Sequence, residues 1–492
     1  MKLRLISIFL IIIAPLKAQE SIKKQLVPAI NELKEFIAIP NDALEHSDMM
    51  RNIFWLEKQF KERGFNTAQL PTDGEPLFFA NLPIKEGLPT LLFYMHFDGQ
   101  AVDPSKWGQK NPYELVLRDG TTDLDWSKLE NGIDNEWRLY GRSTSDDKGP
   151  IVMLLNAFDV LKQESKEVPF NVKVILDSEE EKGSKPLPKA VKQYKSLLKA
   201  DYLVISDGPV HTSGKPTLAY GCRGITTVTL TTYGPVKPQH SGHYGNYAPN
   251  PSFRMAALLS SMKDEQGKVL IPGYYDGISL NDATKEILAA VPDDQASILS
   301  KLSIKTAETV GANYQEALQY PSLNVRGINS GWTGSKARTI VPDRTVAEID
   351  IRLVPESDGN RLKDLVKKHI QKQGYHIVEK DPTAEERAAH DKILKFESRG
   401  VTKPFRTDID SPFSNWLQAV MKNTHGDELV RIRIMGGTVP ISPFINELNI
   451  PAILVPMVNA DNNQHSPNEN IKVGMIEYGM KTFYGILTTS MD

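Results

Sequence analysis

Thr90-Leu91-Leu92-Phe93-Tyr94-Met95-His96-Phe97-Asp98 is the stretch on which the fold turns. A short apolar run that ends in a histidine and an aspartate fits a strand buried on both faces, with polar side chains at its carboxyl end. Upstream, residues 20–39 and 49–63 carry apolar residues at helical spacing. Downstream, residues 107–137 are rich in Asp, Asn, Gly and Lys and read as a long surface excursion before Leu139-Tyr140-Gly141 returns to the core. Pro150 then starts a helix whose Ile151, Leu154, Leu155, Phe158 and Leu161 share one face; proline at the first helical position removes an N–H that has no partner anyway. A strand over 171–176, a basic helix over 186–199 and a strand over 202–205 follow. This alternation predicts an α/β domain with a mainly parallel sheet and helices on both faces.

The pattern changes near residue 212. A β-branched strand over 224–232, a segment rich in Gly, Pro and His over 234–251, a helix over 253–262, a strand over 345–354, a helix over 361–373 and a strand over 375–378 predict a compact α+β domain. The expected division is therefore 19–213 with 386–492 as one domain and 214–385 inserted into it. At 492 residues the chain is long enough for two cores. A balance of 58 Lys and Arg against 61 Asp and Glu lacks the basic excess that a nucleic-acid or anionic membrane partner requires, so small molecules or peptides fit better.

Lys2 and Arg4, the apolar run from Ile6 to Pro15 and Leu16-Lys17-Ala18 read as an export signal over 1–18 that is cleaved before Gln19. The apolar run is about half of the ~20 residues a membrane span needs. The lone Cys222 can form no intramolecular disulfide, and no cysteine near the cleavage region can take a lipid. A protein outside the cytoplasm, secreted or periplasmic and without a membrane anchor, is expected.

Five segments carry the candidate chemistry, most of them at strand ends, where open α/β sheets bind ligands. His96 offers an imidazole nitrogen, and Asp98 can fix its tautomer. Asp146-Asp147 lies in the turn before the Pro150 helix, where the acids serve equally as a helix cap or a metal site. Glu179-Glu180-Glu181 ends the strand over 171–176; one glutamate there can bind metal while its neighbour takes a proton from water. Asp207 follows the strand over 202–205, and His465 sits in the polar loop Asn462-Asn463-Gln464-His465-Ser466. Each segment alone fits a turn or a cap. Together they supply the nitrogen and oxygen donors for two divalent ions with a shared carboxylate.

In order and wording these segments resemble the zinc-dependent peptidase family of carnosinases, bacterial dipeptidases, glutamate carboxypeptidases and acetylornithine and succinyl-diaminopimelate deacylases. The resemblance spans nearly the whole mature chain. It is most specific at Gly141-Arg142 with Asp146-Asp147-Lys148-Gly149, at Glu180-Glu181 with Gly183-Ser184, and at Gln464-His465-Ser466 with Asn468-Glu469. It implies two divalent ions, zinc with manganese or cobalt as alternatives. One would be bound by His96, Asp146 and Asp207, the other by Asp146, Glu181 and His465. Asp98 would support His96, and the Asp146-Asp147 peptide bond would be cis. Glu180 would be the general base, taking a proton from a water shared by the metals so that hydroxide attacks the scissile amide.

The resemblance further implies that the inserted domain is a dimerisation and lid domain, making the protein a homodimer. In Gln239-His240-Ser241-Gly242, His240 would reach the partner subunit's active site. In Glu348-Ile349-Asp350-Ile351-Arg352-Leu353, alternation puts Asp350 and Arg352 opposite the apolar face, and the resemblance gives Arg352 the substrate carboxylate. Thr339, Gly437 and Thr438 resemble further substrate contacts. Lys182, Gly99 and the length of 107–137 depart from the family pattern without removing a ligand. The expected activity is hydrolysis of a dipeptide or short peptide, with an N-acyl amino acid deacylase or a carboxypeptidase as the alternative and an inactive binding module as the reading from another class. Asp207, where carboxypeptidases and deacylases more often have Glu, leans toward a dipeptidase.

Overall fold

The computed structural model describes residues 3–130, 132–439 and 441–491, with side chains from residue 18 onward. Met1 and Lys2 of the expected export signal lie outside the described residues, as do the side chains of residues 3–17. Among the described residues no helix is long and apolar enough to cross a membrane.

The chain forms two compact units, Met1–Tyr220 with Thr407–Ile432 and Pro443–Asp492, and Gly221–Arg406 with Arg433–Ser442. The second unit extends beyond the expected limit of 385. The cause is Ile393–Ser398, which pairs with Gly224–Tyr233 and His376–Val378 and so belongs to the sheet of the inserted unit. The sequence reading, which marks no strand there, gives 386–492 whole to the outer domain.

Among the described residues the first unit is built on an eight-stranded sheet. Its spatial order is Asn66–Leu70, Leu77–Asn81, Asn171–Asp177, Thr90–His96, Tyr202–Ile205, Ala452–Leu454, Thr217–Ala219 and Val430–Ile432. The four strands from Asn171–Asp177 to Ala452–Leu454 run parallel, so their carboxyl ends lie on one edge. Leu91 to His96 are all buried, which requires cover on both faces of the sheet and explains why the run is continuously apolar. The helices Leu3–Ile37, Lys148–Gln163, Pro412–His425 and Val473–Thr488 pack on one another as one layer of that cover.

Three local expectations change. The helix expected to begin at Pro150 begins at Lys148, where Ile151 N already donates to Asp147 O; proline tolerates any position in a first turn. The basic helix over 186–199 is two short ones, Leu187–Gln193 and Lys195–Leu198. The excursion over 107–137 is not merely surface. Its Val116–Asp119 and Thr122–Asp123 form a sheet with Arg138–Tyr140 and Asn470–Lys472, over buried Trp107, Leu117 and Leu129.

The second unit holds a five-stranded sheet in the order Asn324–Asn329, Arg344–Leu353, Gly224–Tyr233, Ile393–Ser398 and His376–Val378. Arg344–Leu353 alternates as its sequence predicts: Ala347, Ile349, Ile351 and Leu353 are buried in one core with Met255 and Leu258 of helix Pro251–Met262 and Leu362 and Val366 of helix Gly359–Lys372.

Lys148 ties the first unit together. It is fully buried, and its Nζ donates to Phe36 O at 2.9 Å and Ile39 O at 2.7 Å, carbonyls at and just past the end of helix Leu3–Ile37, where the regular helical bonds run out. The Phe36 ring lies 4.3 Å from the same ammonium and stacks on Trp55. Replacing Lys148 by Met keeps most of the volume but strands these carbonyls. We expect Lys148→Met to lower stability by about 2 kcal/mol in urea unfolding; an unchanged midpoint would refute the capping role.

Candidate metal centre

Every expected metal ligand belongs to the first unit, and the sheet explains how they meet. His96 is the last residue of Thr90–His96 and pairs with Asp177, the last residue of the neighbouring strand. Three residues further, Glu180 and Glu181 open a 3-10 turn. Asp207 lies two residues past Tyr202–Ile205, and His465 lies in the loop between Ala452–Leu454 and Asn470–Lys472. Two groups result: His96, Asp146 and Asp207, and Asp146, Glu181 and His465, with the ligand atoms of each within 4.8 Å of one another. Asp146 is common to both.

His96 Nε2 lies 2.9 Å from Asp146 Oδ1, while Nδ1 faces Asp98, 3.2 Å from its carbonyl and 3.3 Å from its Oδ1. The expected support of His96 by Asp98 is thus geometrically available. Asp98 also accepts the backbone N–H groups of Glu180 and Glu181, each at 3.0 Å, so one buried carboxylate holds the histidine and the glutamate turn together. His465 Nε2 is 3.1 Å from both Asp146 Oδ2 and Glu181 Oε2, and Gln100 Nε2 donates to Glu181 Oε2 at 2.7 Å. The Asp146-Asp147 peptide bond is cis, as expected. Glu179, first of the three glutamates, turns away and accepts Glu75 N at 3.0 Å.

The loop that carries Asp146 is held by Glu469, whose position the sequence marked without suggesting a role. Its carboxylate is fully buried and accepts from Arg142 Nη1 at 2.7 Å, Ser143 N at 2.9 Å, Ser145 N at 3.0 Å, Ser145 Oγ at 2.9 Å and Asp146 N at 3.1 Å. Asn41, which no motif singled out, donates to Phe97 O at 2.8 Å and Ser143 Oγ at 2.9 Å. The departures from the family pattern find reasons here. A Cβ on Gly99 would collide with Ser143 Oγ and the Asn41 side chain, and Lys182 pairs with Asp42 at 3.2 Å.

Electrostatics fit a centre short of positive charge. Burial pushes Asp98 and Asp207 each up to about 6, and lifts Glu180 and Asp147 well above the usual carboxylate range. For Asp146 burial acts the same way, but hydrogen bonds from His465 and His96 prevail and hold it below its ordinary value. Hydrogen bonds to Asp146 and Glu181 raise His465 to about 10. Asp147 Oδ1, on the residue next to Asp146, is buried and accepts no hydrogen bond. Two imidazoles and crowded carboxylates around the shared Asp146 form a donor set suited to divalent cations.

The remaining candidates belong to the second unit and form two clusters. Gln239–His240 pairs with Ile340–Val341, and Ser241 N donates to Thr339 O at 3.0 Å, so His240 and Thr339 are neighbours across about a hundred residues of sequence. His240 is exposed, and its Nδ1 accepts Gly242 N at 3.0 Å. Arg352 Nη1 donates to Thr438 Oγ1 at 2.7 Å, with Gly437 exposed beside it.

Comparison with known proteins places these features in a lineage. The chain is 28% identical to the Cys-Gly metallodipeptidase of Candida albicans, over 93% of each chain. It is 26% identical to the human Beta-Ala-His dipeptidase, over 92% of this chain and 88% of that one. Among solved structures, the M20 family metallo-carboxypeptidase of Sulfolobus solfataricus matches with a TM-score of 0.75 and 28% identity, covering 94% of this chain and 98% of that one. Human carnosine dipeptidase 1 shares the fold with a TM-score of 0.73 at 24% identity, covering 96% and 98%. The model of peptidase family M20/M25/M40 matches residues 92–489; the chain belongs to that family and is a peptidase.

Proposed function

We propose that this peptidase is a dipeptidase whose site holds two divalent metal ions, one on His96, Asp146 and Asp207 and the other on Asp146, Glu181 and His465. The observation that carries the reading is the sharing of Asp146 between the two ligand groups. Two ions bound there would act as Lewis acids toward water and the scissile carbonyl. The names of the Candida and human relatives, both dipeptidases matched over more than nine tenths of this chain, support the substrate class.

The protein's own groups divide the work. His96 and Asp146 are held in place by Asp98 and Glu469, so binding requires little reorganisation. Glu180, next to the ligand Glu181 and fixed through its backbone by Asp98, removes the proton of the attacking water and delivers it to the leaving amine. Arg352 receives the substrate carboxylate, a task for a planar cation with several donors, and His240 supplies a hydrogen bond to the carbonyl oxygen as negative charge develops there.

Glu180→Gln should reduce turnover of Cys-Gly at least a thousandfold while elemental analysis still finds two metal ions per chain; retained turnover would remove Glu180 from the role of base. A panel of dipeptides, longer peptides and N-acyl amino acids separates the dipeptidase from the carboxypeptidase that the Sulfolobus likeness keeps in view.

We also propose a homodimer through the second unit. Asn324–Asn329 is an exposed strand at the edge of its sheet, with Ile328 58% exposed, and Phe253 on helix Pro251–Met262 is 78% exposed. Open edges and large exposed apolar side chains are features that a partner covers. Ile328→Glu with Phe253→Glu should convert a dimer of ~110 kDa into a monomer by light scattering, twice the chain mass; a wild-type monomer would end this part of the proposal.

Export is proposed from the sequence of residues 1–18. Expression in a bacterial host should give a periplasmic or secreted protein beginning at Gln19. An intact amino terminus recovered from the cytoplasm would refute it.

A further inference from the structure

Arg223 opens the second unit, and nothing in the proposed reaction uses it. It is only 8% exposed, yet its guanidinium is poorly satisfied: Nη2 donates to Tyr320 O at 2.7 Å, and Nε is buried with no partner. Arg406, Arg326 and Arg344 of the same unit pair with Glu356, Glu348 and Asp343. Among the described residues neither Arg223 nor Arg352 forms such a pair. Asp350, on the same face as Arg352, is engaged by Asn324 Nδ2 at 2.8 Å.

Arg223 and Arg352 are linked. Arg352 Nη1 donates to Thr438 Oγ1 at 2.7 Å, and that hydroxyl donates in turn to Arg223 O at 2.6 Å. The chain runs in one direction, so the backbone of Arg223 fixes the hydroxyl that fixes one nitrogen of Arg352. Their charges also feel one another: burial, then the positive charge of Arg352, bring Arg223 down to about 10. Two like charges kept together with no carboxylate in direct contact destabilise the unit, Asp350 acting on Arg223 only through space, and a buried unpaired donor adds to that cost. An anion is what such an arrangement lacks.

We propose that Arg223 is a positioning residue for substrate: its buried guanidinium adds a positive charge beside Arg352 and so strengthens the hold on the carboxylate at the substrate's C-terminus, while its backbone carbonyl, through Thr438, fixes one nitrogen of the Arg352 guanidinium. This rests on the reading of Arg352 as the carboxylate-binding residue. It makes a free C-terminal carboxylate a requirement set by two arginines, and it disfavours peptides whose C-terminus is blocked.

The test compares KM and kcat for Cys-Gly and for Cys-Gly amide in the full-length, metal-loaded enzyme. Arg352→Met should abolish the preference for the free acid. Arg223→Gln should raise KM for Cys-Gly about tenfold through the loss of one nearby positive charge, leave KM for the amide within about twofold and leave kcat within about twofold. Arg223→Lys, which keeps the charge but not the planar fork, should raise KM for the acid about threefold, and it carries the test if Arg223→Gln does not fold. If Arg223→Gln and Arg223→Lys lower the melting temperature while the acid-to-amide ratio stays at the wild-type value, Arg223 is structural and the proposal fails. If Arg352→Met leaves that ratio intact, the reading of Arg352 fails first and the role of Arg223 with it.

Discussion

Carboxylates brought together in a buried place repel one another, and the first unit is organised around that constraint. Asp98, Asp146, Asp147, Glu180, Glu181 and Asp207 converge at the carboxyl edge of one sheet, where low dielectric strengthens their repulsion. Nothing in their local sequences relieves it. Relief comes from His96 and His465 on either side of Asp146, and from the cations that the shared donor set would accept. A sheet whose parallel strands end on one edge allows this arrangement, because three of its strands deliver Asp98, the glutamate turn and Asp207 there, while Asp146 and Asp147 come from the turn before helix Lys148–Gln163.

Holding the acids apart requires further groups, and each is used more than once. Asp98 faces His96 and also pins two amides of the glutamate turn. Glu469 accepts five hydrogen bonds from the loop that bears Asp146, and Arg142, which supplies one of them, lies 5.2 Å from the Trp107 ring. Arg142 N also donates to Pro112 O at 2.9 Å, and Gly108 N to Asn468 Oδ1 at 2.7 Å. The segment over 107–137 thus braces the loops of Asp146 and His465 from outside. A carboxylate common to two candidate ligand groups can serve both only if it stays in place when charge changes beside it, and this bracing supplies the rigidity.

The parts of this design that could be read from sequence are those whose signal is local. The apolar run Leu91 to Met95 with His96 at its end marks the strand and a candidate donor at its carboxyl end, and alternation in Arg344–Leu353 places Ile349, Ile351 and Leu353 in the core and Arg352 outside it. Ligands at strand ends followed from the sheet. Other features depend on contacts between distant segments. Ile393–Ser398 is a short strand whose assignment depends on Gly224–Tyr233, more than 150 residues earlier, so the domain limit was set too early. Glu469 and Asn41 act through loops more than 100 residues away, and a lone Glu or Asn in a polar segment carries no periodic signal.

Gly99 and Lys182 show how residues that look like departures can serve the same constraint. Gly99 N donates to Asn41 O at 2.8 Å, and the lack of a Cβ lets the segment after His96 approach Ser143 and Asn41. Lys182 reaches Asp42, the residue next to Asn41, and so ties the glutamate turn to the same short segment. Residues 41 and 42 therefore connect the His96 strand, the Asp146 loop and the glutamate turn. A substitution at any one contact would be shared by all three ligand-bearing segments, so their geometry is set jointly. That coupling explains why an unusual residue at one position is matched by an unusual residue at another: Gly99 permits the close approach, and Lys182 holds it.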